Sequence, residues 1–147
     1  MNSASGPVAL VGRILLGLIF VLAGYNKLGT TATTAAYMAS RGIPLSGILV
    51  YCAIVVELIG GLALMAGLYA RWVAGALGLY TLVLALIFHD YWSVPATATR
   101  AQQAFFFEHL SMIGGMLVVV ALGAGPLSLD ARRCRAAPED GVRAGGR

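Results

Sequence analysis

Four long apolar segments dominate this 147-residue chain and limit the folds open to it. They cover residues 8–24, 47–68, 73–88 and 105–122, each close to the roughly 20 residues that a helix needs to cross about 30 Å of hydrocarbon. Backbone groups that face lipid must bond internally, which leaves helices or closed barrels, and these continuous runs lack the alternation of barrel strands. The sequence therefore predicts an all-α fold, an antiparallel four-helix transmembrane bundle.

The connection between the first two spans, residues 29–44, has the features of a short interfacial helix on the membrane surface. Thr30 or Thr31 can cap its start, and Gly42 followed by Pro44 can end it. We therefore expect a helix at the outer surface that leads from the first span into the second.

The basic residues are unevenly distributed along the predicted bundle. With four spans both termini share one side, and that side has seven of the ten Lys and Arg, five of them in the tail; Lys27, Arg41 and Arg100 lie opposite. Lys and Arg accumulate in cytoplasmic segments, so the sequence predicts that both termini lie in the cytoplasm.

The chain divides by composition into two parts. Residues 1–130 are interpreted as a four-span membrane domain, and residues 131–147 as a basic cytoplasmic tail that has no apolar period and is predicted to be disordered. Because the charges do not cluster on a folded face, the expected partner is membrane lipid and not nucleic acid. The two cysteines, Cys52 and Cys134, form no C-x-x-C motif, which excludes a quinone-linked disulfide enzyme.

Two opposite charges lie inside the first two spans. Helical spacing puts Glu57 on one stripe with Ala53 and Gly60, a small-residue face that suits helix packing, and puts Arg13 on an arc with Gly17. At 1.5 Å per residue from the outer ends of their spans, both lie roughly 15–20 Å deep. Because an unpaired charge at that depth is costly, we expect an Arg13–Glu57 ion pair near the midplane.

Further polar residues are predicted at the outer end of the bundle, so that the polar groups form a funnel with Arg13 and Glu57 at its bottom. The candidate catalytic residues are Glu57, Arg13, Glu108 and His109, and the candidate cofactor-binding residues are Asn26, Lys27, His89 and Asp90. An ionisable residue inside a membrane is a functional hypothesis by default. A buried Arg–Glu pair can equally serve only to fix which helices pack together.

A metal site is not predicted from these residue types. The adjacent pairs His89-Asp90 and Glu108-His109 do not give the Glu-x-x-His repeats of di-iron bundles. Bis-histidine haem ligation between His89 and His109 is the one alternative that their similar depth leaves open.

Five blocks of sequence carry a family resemblance that covers about residues 8–130. They are RILLGLIFVLAGYNKL at 13–28, GIP at 42–44, ELIGGLALMAGLYAR at 57–71, LIFHDYW at 86–92 and HLSMIGGMLVVVALGAGPLSLD at 109–130. Together they resemble the DoxX family of bacterial inner-membrane proteins, which implies a four-helix membrane bundle. The residues that match the family pattern are Arg13, Asn26, Lys27, Glu57, His89 and Asp90. Many members have Lys-Asn where this chain has Glu108-His109. A family role for a basic group at this position therefore cannot be transferred to this chain.

The resemblance implies a function but leaves alternatives open. The family is named after a subunit of a thiosulfate:quinone oxidoreductase, so the first expectation is the membrane subunit of a quinone-linked oxidoreductase. Such a subunit would have no covalently bound cofactor, would take quinone in its polar pocket, and would need a protein partner that supplies electrons. The alternatives are a non-catalytic accessory or assembly subunit of a larger membrane complex, and a small-solute or lipid-binding transport protein; an oligomer is possible in each case.

Overall fold

The computed structural model describes residues 5–136, which form six helices. They are α1 (Ser5–Gly29), α2 (Thr31–Ser40), α3 (Ser46–Ala66), α4 (Ala70–Phe88), α5 (Ala96–Leu122) and α6 (Leu129–Ala136). Helices α1, α3, α4 and α5 are long and apolar enough to cross a membrane. The predicted all-α fold with four spans is confirmed, and the described part of the chain contains no strand.

Two helix pairs build the bundle, α1 with α3 and α4 with α5. The first pair crosses where two glycines meet: a Cβ on Gly17 would lie 2.6 Å from the carbonyl oxygen of Gly61, and one on Gly61 would lie 2.8 Å from that of Gly17. Small residues permit such backbone contact in lipid, where close packing replaces the hydrophobic effect as the force between helices. The two pairs meet in a core that includes Phe20, Leu77 and Met116.

The two ends of the bundle are identified by contacts between distant segments. Asp130 accepts hydrogen bonds from the backbone N–H groups of Tyr69 (2.7 Å) and Ala70 (2.8 Å) at the start of α4. Gly6 near the start of α1 lies against Pro126 in the α5–α6 connection. We call this end the terminal side and the opposite end, with α2 and the α4–α5 connection, the far side.

The predicted interfacial helix is present as α2 on the far side. Thr30 precedes it, but the Thr30 hydroxyl donates to the carbonyl oxygen of Asn26 (3.0 Å) at the end of α1 and does not cap α2. Gly42 follows α2 with a φ of +77°, a left-handed conformation that favours glycine. The Tyr37 ring stacks on Phe88 at the end of α4, with ring centroids 5.5 Å apart, so α2 lies over the far end of the bundle.

Two predicted boundaries were wrong. Helix α5 begins at Ala96, nine residues before the predicted span, because its first turns combine Ala, a strong helix former, with polar Arg and Gln, which also favour a helix but interrupt the apolar run. Helix α6 continues through Ala136, so the predicted disorder does not hold for residues 131–136. The rest of the predicted tail, residues 137–147, lies outside the described residues.

Candidate functional site

Glu57 is the centre of a buried polar cluster in the far-side half of the bundle. Its side chain is 2% exposed, and Lys27 Nζ donates to both of its carboxylate oxygens at 2.9 Å. The Tyr80 hydroxyl donates to Glu57 Oε1 at 2.8 Å. One carboxylate thus joins α1, α3 and α4, and the opposite charge of Lys27 offsets the cost of burying it.

The predicted Arg13–Glu57 pair is wrong. The Arg13 guanidinium donates instead to the carbonyl oxygens of Leu64 (3.4 Å), Met65 (3.2 Å) and Leu127 (2.5 Å), on the terminal side. Arg13 is as buried as Glu57, so the inward orientation expected for both residues is confirmed. Only the predicted ion pair between the two residues is wrong.

The directions of the helices explain why Lys27, and not Arg13, pairs with Glu57. Side chains lean toward the N-terminus of their helix, and α1 and α3 run in opposite directions. Arg13 therefore leans toward the terminal side and Glu57 toward the far side, while Lys27, in the last turn of α1, leans back toward Glu57. Depth adds to this: Arg13 lies 16 residues, roughly 24 Å, from the end of α1 at Gly29, whereas Glu57 lies 11 residues, roughly 16 Å, from the start of α3.

Arg13 consequently has a structural position at the terminal end of α3. The last carbonyl groups of a helix lack intrahelical partners, and a cation there also interacts favourably with the helix dipole. Gly67 ends α3 with a φ of +67°, and a Cβ at this residue would overlap Arg13 Nη1. Arg13 is therefore outside the polar cluster and closes the opposite end of the α1–α3 pair.

A cavity of about 350 Å³ lies above the Glu57 cluster and beneath α2. Side chains of all five helices from α1 to α5 line it, together with His89, which directly follows α4. They are Ile19, Phe20, Ala23, Lys27, Thr34, Tyr37, Met38, Ala53, Glu57, Tyr80, Thr81, Leu84, Phe88, His89, His109 and Met112. Its walls are mostly apolar, and its polar lining includes the Lys27–Glu57–Tyr80 cluster and the two histidines.

The cavity brings together half of the predicted site residues: Lys27, Glu57, His89 and His109 line it, and Arg13, Asn26, Asp90 and Glu108 do not. Asn26 and Glu108 are exposed on the outer faces of α1 and α5. In a helix only residues three or four apart share a face, so Glu108 cannot follow its neighbour His109 into the cavity.

Tyr80 is the functional candidate that sequence reasoning missed. A tyrosine in the middle of a span, away from the aromatic belts at the membrane surfaces, needs a partner for its hydroxyl. Tyr80 lies in the second half of α4, and that partner is Glu57. The position of Tyr80 in the middle of a span was the sequence signal that could have identified it.

The two histidines are in ring contact, with centroids 4.7 Å apart and planes inclined by 49°. His89 Nδ1 lies 2.9 Å from Gln102 Oε1, and His109 Nδ1 lies 2.8 Å from the carbonyl oxygen of Phe105. Rings in contact leave no space for a haem between them, so the bis-histidine arrangement does not fit. In residues 5–136, no three side chains of His, Cys, Asp or Glu gather where a metal ion could bind.

Asp90 holds α2 over the cavity instead of lining it. It forms an ion pair with Arg41, which follows α2, and accepts a hydrogen bond from the Ser93 hydroxyl. Arg41 Nε also donates to the carbonyl oxygen of Ile87 at 3.1 Å. The Ser93 hydroxyl, and next the Arg41 guanidinium, hold the pKa of the Asp90 carboxyl below its usual range. We call Arg41, Asp90 and Ser93 the α2 clamp.

Comparison with known proteins assigns the family. The DoxX family model matches residues 8–90, more than half of the chain, from α1 to the end of α4. This chain belongs to the DoxX family. The match includes Lys27, Glu57 and Tyr80 and stops before His109.

Among its relatives, inner membrane protein YphA of Escherichia coli is 33% identical over 130 residues, which cover 88% of this chain and 93% of YphA. Inner membrane protein YqjF of the same organism is 33% identical over 121 residues, covering 82% of this chain and 88% of YqjF. The ER-derived vesicles protein ERV29 of Saccharomyces cerevisiae is 26% identical over 132 residues, but these cover only 36% of that protein. No solved structure matches the chain significantly.

Proposed function

We propose that this DoxX protein is the membrane subunit of a quinone-linked oxidoreductase and that the cavity holds the quinone headgroup. The observation that carries the proposal is a mostly apolar cavity lined by a buried ionic cluster and by two imidazoles. Its volume of about 350 Å³ falls within the usual range for small-molecule sites, where apolar walls bind the ligand and a few polar groups orient it.

The polar cluster suits a redox headgroup that gains and loses protons. Lys27 uses two of its three N–H donors on Glu57, so one can reach a ligand oxygen. Glu57 and Tyr80 share a hydrogen bond and can hold or pass a proton beside that oxygen. A bound quinone would supply the two-electron, two-proton chemistry.

Electrons would have to come from a protein partner. The chain has no C-x-x-C motif, and its two cysteines, Cys52 and Cys134, lie exposed on α3 and α6. We therefore propose a complex in which a second protein carries the electrons. In keeping with the names of the two E. coli relatives, we place it in a bacterial inner membrane, with both termini in the cytoplasm.

A cavity-filling substitution tests the proposal. Ala53 lines the cavity, whereas Ala76 is exposed on α4, so Ala53→Phe and Ala76→Phe add the same side chain inside and outside the site. Decylubiquinone binding to each purified variant in lipid nanodiscs is measured by calorimetry. Ala53→Phe should weaken binding at least about tenfold and Ala76→Phe should leave it unchanged. Equal binding by the two variants, or none by the native chain, would refute the quinone site.

The second candidate is an accessory or assembly subunit, and one observation favours it. The Lys27–Glu57–Tyr80 cluster is hydrogen-bonded within itself and joins three spans. In that case Glu57→Gln would reduce the abundance of the assembled complex without changing turnover per complex. A small-solute or lipid carrier would use the same cavity, and solute uptake into proteoliposomes would identify it.

A further inference from the structure

The two cavity histidines present hydrogen-bond acceptors. A backbone carbonyl oxygen can only accept, so the proton between His109 and Phe105 belongs to His109 Nδ1. The Gln102 side-chain oxygen, 2.9 Å from His89 Nδ1, accepts in the same way when His89 has the same tautomer. In a neutral imidazole with the proton on Nδ1, Nε2 is an acceptor. The hydrogen bonds that both rings make within residues 5–136 run through Nδ1, which leaves Nε2 for a ligand.

The Lys27–Glu57–Tyr80 cluster offers the cavity both a donor and an acceptor. Glu57 Oε1 accepts from Lys27 and Tyr80, whereas Oε2 accepts from Lys27 alone and has capacity left. The third N–H of Lys27 is the remaining donor. A hydroxyl matches this cluster fully because it accepts from Lys27 and donates to Glu57 Oε2. A carbonyl oxygen of a ligand can accept from Lys27 but has no proton to donate to Glu57 Oε2.

We propose that the cavity selects the reduced ligand, a hydroquinone, over the oxidised quinone; this rests on the proposed quinone site. One hydroxyl donates to His109 Nε2, and the other bonds Glu57 and Lys27. A quinone has acceptors only, so at the histidine wall its oxygen faces a second acceptor with no proton between them. Reduced ligand therefore satisfies polar groups that the oxidised ligand leaves unpaired.

The direct test compares both redox forms on the native chain. Decylubiquinol, kept reduced under argon, and decylubiquinone are titrated into the full-length protein in nanodiscs at pH 8, where histidine is ordinarily neutral. The quinol should bind about tenfold more tightly or better. A quinone that binds as tightly as the quinol overturns the selectivity while leaving the quinone site in place. If neither form binds, the proposed function itself fails and the selectivity falls with it.

A variant locates the selectivity at the histidine wall. His109→Phe removes the acceptor and keeps an aromatic ring, so it should lower quinol affinity about tenfold, leave quinone affinity unchanged, and bring their ratio near one. Ser111→Ala, on the exposed face of α5 and outside the cavity, should retain the native ratio. An unchanged ratio in His109→Phe would contradict the assignment of the acceptor to this wall.

A ligand series keeps the test independent of folding of the variant. The dimethyl ether of decylubiquinol keeps both oxygens as acceptors but has no hydroxyl donor, and it is larger than the quinol by two methyl groups. On the native chain it should bind no better than the quinone. Binding as tight as that of the quinol would show that donors do not matter, and would overturn the proposal.

Discussion

At the residue scale, the sequence identifies the buried charges but assigns the wrong pairs. The small-residue faces around Arg13 and Glu57 correctly predict that both point inward. The pairing depends on depth and side-chain direction, and the apolar segment ends before Lys27 although α1 continues to Gly29. Counting from the edge of the apolar run therefore placed Arg13 too close to Glu57. It also left out the lean of each side chain toward its helix N-terminus.

The Lys27–Glu57 pair should show strong coupling. Glu57→Gln leaves a partly buried cation without its partner, and Lys27→Met leaves a buried carboxylate with Tyr80 alone. Each single change should lower the free energy of unfolding by about 3 kcal/mol, the lower end for broken buried pairs because Lys27 is 25% exposed. The double variant should lose much less than the sum. Unfolding in mixed micelles followed by circular dichroism measures all four proteins.

The matched comparison for this cycle is Arg13→Gln combined with Glu57→Gln. The two residues make no contact, so their effects should add to within about 0.5 kcal/mol. Coupling between Arg13 and Glu57 as strong as that between Lys27 and Glu57 would contradict the observed pairing.

At the element scale, the cores of the helices were predictable and their ends were not. Hydropathy finds α3 and α4 nearly to the residue, because both end at the hydrocarbon boundary. It misses the first turns of α5, where helix propensity and Pro95, not apolar character, set the start. From the sequence, the contact between Gly17 and Gly61 could be predicted only in the form of helix faces made of small residues. Which helix packs against such a face depends on the tertiary structure.

That glycine contact should control the α1–α3 pair. Gly61→Val puts a branched side chain against the Gly17 carbonyl oxygen and the side chains of Phe20 and Val21. Overpacking of this kind costs about 1–3 kcal/mol of unfolding free energy. Gly114→Val is the control, because a Cβ at Gly114 meets nothing within 4 Å. Thermal unfolding in detergent should show a lower Tm for Gly61→Val alone; equal shifts in both variants would show that the crossing is not tight.

The α2 clamp should make the position of α2 sensitive to acid. The pKa of Asp90 is lowered by Ser93 and Arg41, so the clamp is fully present above the unfolded-state pKa and is lost as pH falls through the lower folded-state pKa. The clamp should therefore hold between about pH 5 and 8 and release only in strong acid. Arg41→Gln should release α2 at neutral pH.

A spin label on α2 measures this release. With both native cysteines replaced, a nitroxide at position 36, on the exposed face of α2, should gain mobility in Arg41→Gln and in the native chain at low pH. Arg100→Gln makes the same charge change on α5, where the described residues show no ion pair, and should leave the label unchanged. Equal mobility in the two variants would mean that packing of Tyr37 on Phe88, and not the clamp, holds α2.

At the scale of the whole molecule, the four-span bundle follows from composition, but the cavity does not. The cavity forms only where residues from five helices lie at one depth. From the sequence, we could estimate only the depth of each residue along its own span. Of the four candidate residues that do not line the cavity, Asn26 and Glu108 are on outer helix faces, Asp90 is in the α2 clamp, and Arg13 is at the other end of the bundle. The apolar lining, such as Phe20 and Leu84, is indistinguishable in sequence from ordinary core.

The side of the membrane on which the cavity lies is fixed by the orientation of the chain. At the two ends of the described bundle, four arginines lie on the terminal side, Arg71, Arg132, Arg133 and Arg135, and three Lys and Arg lie on the far side, where two are held in ion pairs with Glu57 and Asp90. The excess predicts a cytoplasmic terminal side, which puts the cavity and α2 in the outer half of the membrane. Cys134 on α6 and a cysteine introduced by Ser93→Cys then report opposite sides, in a chain whose lipid-facing Cys52 is replaced by alanine. In spheroplasts, a membrane-impermeant maleimide should label position 93 at once and Cys134 only after lysis. The reverse pattern would turn the bundle over and place the cavity next to the cytoplasm.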